Sequence, residues 1–266
     1  MTEQGVDYSV QDGLAVIRLD RPAQLNAVDL VTARRLREAI MQAERDASVR
    51  CLLLTGAGKH FSAGGDVRFF HSTLDLPLDE RRGVFEAILH ELNDVIPRLT
   101  RMPKPVVASA RGAVAGLGVS LLAACDIALA ASDAVFSMAY CAIGGVPDSG
   151  ASAAIARLSN PKRAAELTFT GDRFDAEEAL RLGLLARVVA PEALDEATRP
   201  LGARLAAGPT RAFAATKRLL REACETTLET QLSRERAAFV ECVASRDFAE
   251  GLRAFVGRRS PLFTGS

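Results

Sequence analysis

Two glycine-rich turns are the segments of this sequence whose residues could do chemistry. Residues 52–67, LLLTGAGKHFSAGGDV, run from an apolar stretch into a turn of small residues, and residues 104–130, KPVVASARGAVAGLGVSLLAACDIALA, repeat the pattern. Small residues let another group approach the main chain closely. A helix that begins at such a turn offers unpaired N–H donors to an oxygen that gains negative charge. Two turns could direct one N–H each at one oxygen, and each such donor can stabilise a transition state by about 3–4 kcal/mol.

Two nucleotide-binding motifs can be tested against these turns, and both fail. A Walker A loop would need glycine five residues before Gly58, where Leu53 stands, and Ser or Thr after Lys59. A dinucleotide fingerprint would need its third glycine at the position of Phe61 in the first turn and of Leu121 in the second. For either turn taken alone, tight packing of a helix on a strand remains the alternative explanation.

Composition excludes several functional classes. Lys plus Arg and Asp plus Glu number 33 each, so the charge gives no reason to expect nucleic acid or an anionic membrane as partner. The five cysteines form no C-x-x-C pair, which favours buried, reduced thiols, and none of the three histidines is spaced for a zinc site, so we expect no metal. The start of the chain, MTEQGVDYSV, resembles no leader, and no apolar run approaches eighteen residues, so a cytoplasmic protein is expected.

The elements around the turns predict an α/β core with a mainly parallel sheet. Short apolar runs predict strands at 13–19, 49–55, 105–110, 125–130 and 134–137. Between the first two, a helical pattern places Leu36, Ile40 and Ala43 on one face, with Asp29 as its N-cap. The alternation of strands and helices is typical of one α/β unit.

Two further segments have a composition that indicates their structure. Residues 71–83 are polar and contain proline, which predicts a surface loop that leads into a helix from about Val84 to Leu99. From Ala176 onward, alanine, leucine, arginine and glutamate recur with helical periodicity, so the last third of the chain is predicted to be helical.

Six motifs spread over nearly the whole chain carry a family resemblance. They are LDRPAQLNAV at 19–28, GKHFSAGGDV at 58–67, KPVVASARGAVAGLG at 104–118, ACDIALA at 124–130, AIGGVPDSGAS at 142–152 and ALRLGLLARVV at 179–189. Together they resemble the enoyl-CoA hydratase/isomerase (crotonase) family. The resemblance implies a crotonase-like spiral of ββα units in residues 1–195 and a C-terminal helical trimerisation region in residues 196–266. It also implies an acyl-CoA thioester substrate, no cofactor beyond the coenzyme A of that substrate, and a homotrimer or dimer of trimers.

The resemblance also assigns site residues by position. It places the two oxyanion-hole amides at Ala63 and Leu117. The substrate-binding channel for coenzyme A would be lined by Gly64, Gly65, Asp66 and Val67, together with the main chain at Gln24, Leu25 and Ala27. Asp66 could equally serve as the N-cap of the following helix, and the two functions are compatible.

The sequence departs from the hydratase pattern at the chemical centre. The two glutamates that handle water in hydratases would fall at Ser120 and Tyr140, neither of which is a carboxylate base. The nearest carboxylate is Asp148 in VPDSG, an arrangement that resembles ring-epoxide isomerases of phenylacetate degradation. The leading hypothesis is therefore an isomerase of fatty acid or phenylacetate metabolism, in which Asp148 moves a proton of the acyl chain. Tyr140 would line the acyl pocket.

Several alternatives remain at the sequence level. Asp148 could instead be a turn residue that caps a helix beginning near Ser149. His90 could approach the acyl end, although an exposed helical histidine is the simpler interpretation. The chain could also be a hydratase with unusual water activation, a dehalogenase-like enzyme with Asp148 as nucleophile, or an acyl-CoA binder without catalysis.

Overall fold

The computed structural model of the protein describes residues 5–266, so the first four residues of the N-terminal segment lie outside it. Nine strands form two sheets in this described part of the chain. They are β1 (Val6–Gln11), β2 (Leu14–Leu19), β3 (Cys51–Gly56), β4 (Val106–Ala110), β5 (Ala113–Ala115), β6 (Ile127–Ala131), β7 (Val135–Ser137), β8 (Phe174–Asp175) and β9 (Arg187–Val189). The larger sheet has the order β1-β2-β3-β4-β6-β9, and the smaller one has the order β5-β7-β8.

Eleven α-helices accompany the strands of the described chain. They are α1 (Leu30–Arg45), α2 (Val67–Ser72), α3 (Leu78–Arg101), α4 (Leu117–Ala123), α5 (Ala151–Leu158), α6 (Pro161–Thr170), α7 (Ala176–Arg181), α8 (Leu194–Ala206), α9 (Thr210–Ala223), α10 (Leu228–Val243) and α11 (Arg246–Val256). The prediction that the chain is helical from Ala176 onward is confirmed, apart from the short strand β9.

The large sheet is parallel except at its β1 edge, as predicted for the core. Its central strands are apolar on both faces because helices cover both sides. On one face lies the main core with α1 and α3, where Leu36 and Ile40 are fully buried. On the other face, α8 packs Leu194 and Leu201 against the strands. Asp29 caps α1 through its carboxylate, which accepts the Thr32 N–H at 2.8 Å, so that prediction is also confirmed.

The prediction of a loop over residues 71–83 is wrong at both ends. Helix α2 includes the first two of these residues, and α3 begins at Leu78 rather than near Val84. Pro77 directly precedes the helix, and Asp79 and Glu80 lie in its first turn, where acidic side chains favour the positive end of the helix dipole. Residues 73–77 separate the two helices; Thr73 is buried, and residues 74–77 form an exposed linker.

The edge strand β1 was not predicted because its sequence, VDYSVQ, lacks a continuous apolar run. It pairs antiparallel with β2 along its whole length, so pairing to a buried neighbour decides its structure. The strands β5, β8 and β9 are two or three residues long, too short for a periodic signal.

All five cysteines are free thiols, but the prediction that they are buried is confirmed only for Cys51. Cys125, Cys141 and Cys242 are partly buried, and Cys224 is exposed. Burial raises the pKa of the Cys51 thiol to about 12, so this thiol is unreactive at neutral pH.

No helix within residues 5–266 has the length and apolar character needed to cross a membrane. The same residues contain no group of three His, Cys, Asp or Glu side chains arranged to hold a metal ion.

Strand direction brings the two glycine-rich turns together. β3 and β4 run parallel and adjacent, so the segments that follow them leave from the same edge of the sheet. Behind the first turn, Gly112 has φ +56°, and a Cβ atom there would lie 2.1 Å from the Lys59 carbonyl oxygen. Glycine is therefore required at position 112.

Gly112→Ala should lower the free energy of unfolding by about 3 kcal/mol or more, because it combines an unfavourable φ with a clash against main chain. Gly83→Ala is the matched control. Gly83 lies inside α3 with nothing within 4 Å of its virtual Cβ, so alanine should raise stability by about 0.5–1 kcal/mol. Urea unfolding of the three proteins at equal concentration measures both changes. Equal stabilities of Gly112→Ala and wild type would contradict the packing described for this turn.

Candidate active site

The two glycine-rich turns are in direct contact. Ser62 and Val114 form a parallel bridge, in which Ser62 N donates to Ala113 O at 3.1 Å and Ala115 N donates to Ser62 O at 2.9 Å. Gly64 has φ +96°, and a Cβ atom there would lie 2.8 Å from the Ala115 carbonyl oxygen and 3.4 Å from the Leu117 nitrogen. Only glycine fits so close to the start of α4.

The two predicted oxyanion-hole amides differ in their hydrogen bonding. Leu117 is the first residue of α4, and its N–H has no acceptor among residues 5–266. The Ala63 N–H, in contrast, donates to the Leu25 carbonyl oxygen at 3.0 Å. The expectation of two free donors is therefore met at Leu117 and not at Ala63. A substrate oxygen at Ala63 would have to share this N–H or displace the carbonyl.

The position of the Leu25 carbonyl is fixed by its neighbour Asn26. Both residues adopt the left-handed conformation, with φ of 54° and 56°. The Asn26 side chain is 1% exposed and binds three main-chain groups: its Oδ1 accepts from Arg21 N at 2.9 Å, and its Nδ2 donates to Ala57 O at 2.9 Å and His60 O at 2.7 Å. Arg21 belongs to the segment before Leu25, and Ala57 and His60 belong to the segment before Ala63, so Asn26 joins the two segments and positions Leu25 against the turn.

A cavity of about 200 Å³ opens beside the two turns. It contains six of the predicted site residues, namely Ala63, Gly65, Val67, Leu117, Tyr140 and Asp148. The rest of its lining is almost entirely apolar and consists of Val28, Phe70, Phe85, Ile88, Leu89, Leu92, Gly116, Ala139, Ile143, Gly145 and Val146. Ile143 and Val146 are exposed, so they form the mouth of the cavity.

The other predicted site residues lie around the first turn and do not line the cavity. Gln24 and Leu25 are exposed, and the Ala27 carbonyl accepts from Arg21 Nη1 at 2.7 Å. Asp66 caps α2, accepting from the N–H groups of Arg68 and Phe69 at 3.1 Å each, so the capping interpretation is confirmed. Its second oxygen pairs with Arg21 at 3.0 Å. Gly64 lies behind Ala63, against the second turn.

Asp148 and Tyr140 form a hydrogen-bonded pair in the cavity wall. The Tyr140 hydroxyl donates to Asp148 Oδ1 at 3.2 Å. Burial raises the pKa of Asp148 above its ordinary value, and burial and the nearby Asp148 carboxylate raise the pKa of Tyr140 as well. Tyr140 is therefore a neutral phenol at neutral pH, and Asp148 is a stronger base than an aspartate in water. Ser120 contacts the same segment through a long hydrogen bond of 3.4 Å to the Asp148 carbonyl oxygen.

The alternative that Asp148 caps a helix is wrong. Helix α5 begins at Ala151, two residues later than predicted, and Gly150 precedes it without a side-chain cap. The Ala151 N–H donates at 2.9 Å to the main-chain carbonyl of Asp148, not to its carboxylate. The carboxylate thus remains directed at Tyr140 and the cavity.

The approach of His90 to the acyl end is not seen, since this residue is exposed on α3 and outside the cavity lining. Sequence reasoning missed Phe70 and the stripe on α3 that it faces. That stripe consists of Phe85, Ile88, Leu89 and Leu92 at helical spacing i, i+3, i+4 and i+7, which is equally typical of ordinary core packing. The pattern could have indicated an apolar face, but only the structure shows that the face borders a cavity.

Comparison with known proteins agrees with this geometry. The sequence profile of the Enoyl-CoA hydratase/isomerase family matches residues 9–266. The chain is 36% identical over 256 residues to 1,2-epoxyphenylacetyl-CoA isomerase of Escherichia coli K12, with 96% of this chain and 97% of the relative covered. It is 31% identical over 264 residues to crotonyl-CoA hydratase of Syntrophomonas wolfei, with 99% of both chains covered.

A solved structure shows the same fold. The crystal structure of an enoyl-CoA hydratase from Polaromonas sp. JS666 superposes with a TM-score of 0.90 at 31% identity, and the match covers 97% of this chain and 99% of that one. The crotonase-like spiral with C-terminal helices, expected from the sequence resemblance, is thereby confirmed. The chain belongs to the enoyl-CoA hydratase/isomerase family.

Proposed function

We propose that the protein is an acyl-CoA isomerase that transfers a proton through a thioester enolate. The observation that carries this proposal is the cavity itself. Among the described residues that line it, Asp148 is the only carboxylate, and it shares the cavity with the free N–H of Leu117 and with Ala63. One base beside one oxyanion site is the minimum that proton transfer next to a carbonyl requires.

The oxyanion is held by main chain in this mechanism. The thioester carbonyl oxygen accepts the Leu117 N–H at the start of α4, where no protein acceptor competes. It accepts the Ala63 N–H as well once the Leu25 carbonyl shares that donor or moves away. Negative charge that develops on the oxygen is then stabilised in a cavity with few other polar groups. The relative that acts on 1,2-epoxyphenylacetyl-CoA supports an acyl-CoA thioester as substrate.

Asp148 carries the proton. As a carboxylate it takes a proton from an acyl carbon, and the electron pair of the broken C–H bond moves into the enolate. Asp148 then returns the proton to a different carbon, so the double bond shifts and no net atoms are gained or lost. Tyr140 donates a hydrogen bond to the carboxylate throughout, which fixes its direction. No cofactor enters this sequence beyond the coenzyme A of the substrate.

A hydratase is the nearest competing function, because relatives of similar identity include both isomerases and hydratases. Water addition by two carboxylates would require acidic residues at Ser120 and Tyr140. Both residues carry hydroxyl groups, so Asp148 has no second carboxylate beside it in the cavity lining of the described chain. The arrangement therefore favours isomerisation.

Hydration of a short 2-enoyl-CoA should be slow, with kcat/KM below about 10⁴ M⁻¹s⁻¹, the lower end for efficient enzymes. Loss of the enoyl absorbance of crotonyl-CoA on water addition measures the rate. Isomerisation of unsaturated, aromatic and ring-epoxide acyl-CoAs is measured in parallel. Mass spectrometry shows whether the product has the mass of the substrate, and the position of its double bond shows whether that bond has moved. Fast hydration without isomerisation would replace this proposal with a hydratase.

Asp148→Asn should reduce isomerisation and exchange of substrate protons with deuterated water by about 10²-fold or more, because the amide cannot take the proton. Acyl-CoA affinity should change little. In the wild type, activity should fall as the pH drops through a value above the ordinary aspartate pKa, since the pKa of Asp148 is raised. Full exchange activity in folded Asp148→Asn would remove this residue from the mechanism, and acyl-CoA binding without any exchange in the wild type would indicate a binder without catalysis.

Stability provides the control for this variant. Because folding raises the pKa of Asp148, its favourable contribution to stability is present at low pH and is lost as the pH rises through the folded-state pKa. At neutral pH the buried charge costs stability. Asp148→Asn should therefore melt at the same temperature as wild type or higher, so that a loss of activity cannot be ascribed to unfolding.

The assembly that we propose is a homotrimer or a dimer of trimers built through the C-terminal helices. Large apolar side chains on α10 and α11 face solvent, including Phe239 and Leu252, and Phe255 is 84% exposed. Such an apolar surface is typical of obligate interfaces. Light scattering should give three or six times the mass of one chain, and Phe255→Glu should reduce it. A stable wild-type monomer at micromolar concentration would contradict the proposal.

A further inference from the structure

We infer that Phe70 and Phe85, called here the aromatic wall, set the size of the acyl group that the enzyme accepts. A dry apolar cavity of about 150 Å³ holds a benzene molecule. The cavity here measures about 200 Å³. It therefore accommodates a compact hydrocarbon acyl group of about six to eight carbon atoms, a six-membered ring included. This inference rests on the proposed function, because it takes the cavity beside Asp148 as the acyl site.

The lining of the cavity defines the chemistry of the acyl group. The lining includes three buried apolar side chains, Val28, Ile88 and Leu92. Apart from Asp148 and the Tyr140 hydroxyl, no described side chain in the lining offers a polar group. A polar substituent at the far end of the acyl group would lose its hydration without gaining a hydrogen bond. The site thus selects hydrocarbon.

The aromatic wall joins two helices across one side of the cavity. The rings of Phe70 on α2 and Phe85 on α3 have centroids 4.8 Å apart and planes inclined at 51°. This distance is within the range of favourable aromatic pairs. Both side chains are only half-buried although they pack on each other, because one side of the pair borders the cavity.

Gly65 determines where the Phe70 ring lies. A Cβ atom at position 65 would be 2.5 Å from Phe70 Cζ and 2.6 Å from Phe70 Cε2. Gly65 does not have the positive φ that would exclude alanine on backbone grounds. The Phe70 ring, rather than main chain, is what an alanine there would meet. The size of residue 65 is therefore coupled to the position of the wall.

The coupling reaches the chemical centre as well. Gly65 follows Ala63 and Gly64 in the first turn, and it forms a parallel bridge with Val28, which lines the cavity. A larger residue at position 65 must push the Phe70 ring away from the turn. Phe85 packs against that ring with centroids 4.8 Å apart, so we expect a displaced Phe70 ring to reduce the volume left for the acyl group.

Calorimetric titration with saturated acyl-CoAs of increasing chain length tests this inference without requiring turnover. In the wild type, affinity should rise about fourfold per methylene up to about eight carbons and then stop rising. Phe85→Ala should move this limit to longer chains by about two carbons or more, because the deleted ring leaves space for further methylenes. Gly65→Ala should move it to shorter chains, and the double variant Gly65→Ala with Phe70→Ala should reverse that shift.

Phe69→Ala is the matched control, because Phe69 is the neighbour of Phe70 on α2 but does not line the cavity. The chain-length limit of Phe69→Ala should equal that of the wild type. Melting temperatures show whether each variant is folded. If the chain-length limit is unchanged in both Phe85→Ala and Gly65→Ala, the inference is wrong. The proposed function still holds in that case, provided that the wild type exchanges the protons of butanoyl-CoA. Failure of the wild type to bind any acyl-CoA would overturn both.

Discussion

The close approach of Gly64 to the start of α4 is the constraint on which the site depends. It holds only because position 64 has no side chain, and because parallel pairing of β3 and β4 delivers both turns to one edge of the sheet. Gly118, the second residue of α4, repeats the requirement, since a Cβ atom there would lie 2.5 Å from the Ser62 carbonyl oxygen. Main-chain donors placed in this way need no particular side chain, which explains how leucine can occupy position 117.

The basicity of Asp148, the proposed base, depends on a balance between burial and hydrogen bonding. Burial makes the Asp148 carboxylate a better proton acceptor, whereas the Tyr140 hydroxyl favours its charged form and lowers its pKa. A more polar wall would weaken the base, and a wall without any donor would leave it protonated over a wider pH range. The Tyr140 hydroxyl therefore holds the carboxylate of the proposed base and does not replace it.

Features that depend on local pattern or on glycine sterics could be predicted from the sequence, and those that depend on distant partners could not. The buried face of α1 and the capping by Asp29 and Asp66 follow from spacing and residue type. Strand β1 is stabilised by pairing with β2, and the Ala63 N–H donates to the carbonyl of Leu25, 38 positions earlier. Phe70 and Phe85 are ordinary apolar residues in the sequence, and only the folded chain shows that they line the same cavity.

The exposed linker at residues 74–77 divides the site into two halves along the chain. Everything that the first turn contributes, including Leu25, Ala63 and Phe70, precedes it, and Leu117, Tyr140 and Asp148 follow it. Exposed linkers of this kind tolerate chain breaks. Two fragments produced by a cut there would each carry one of the two proposed oxyanion donors. Turnover would then report their reassociation, and the fold could serve as a split-enzyme sensor.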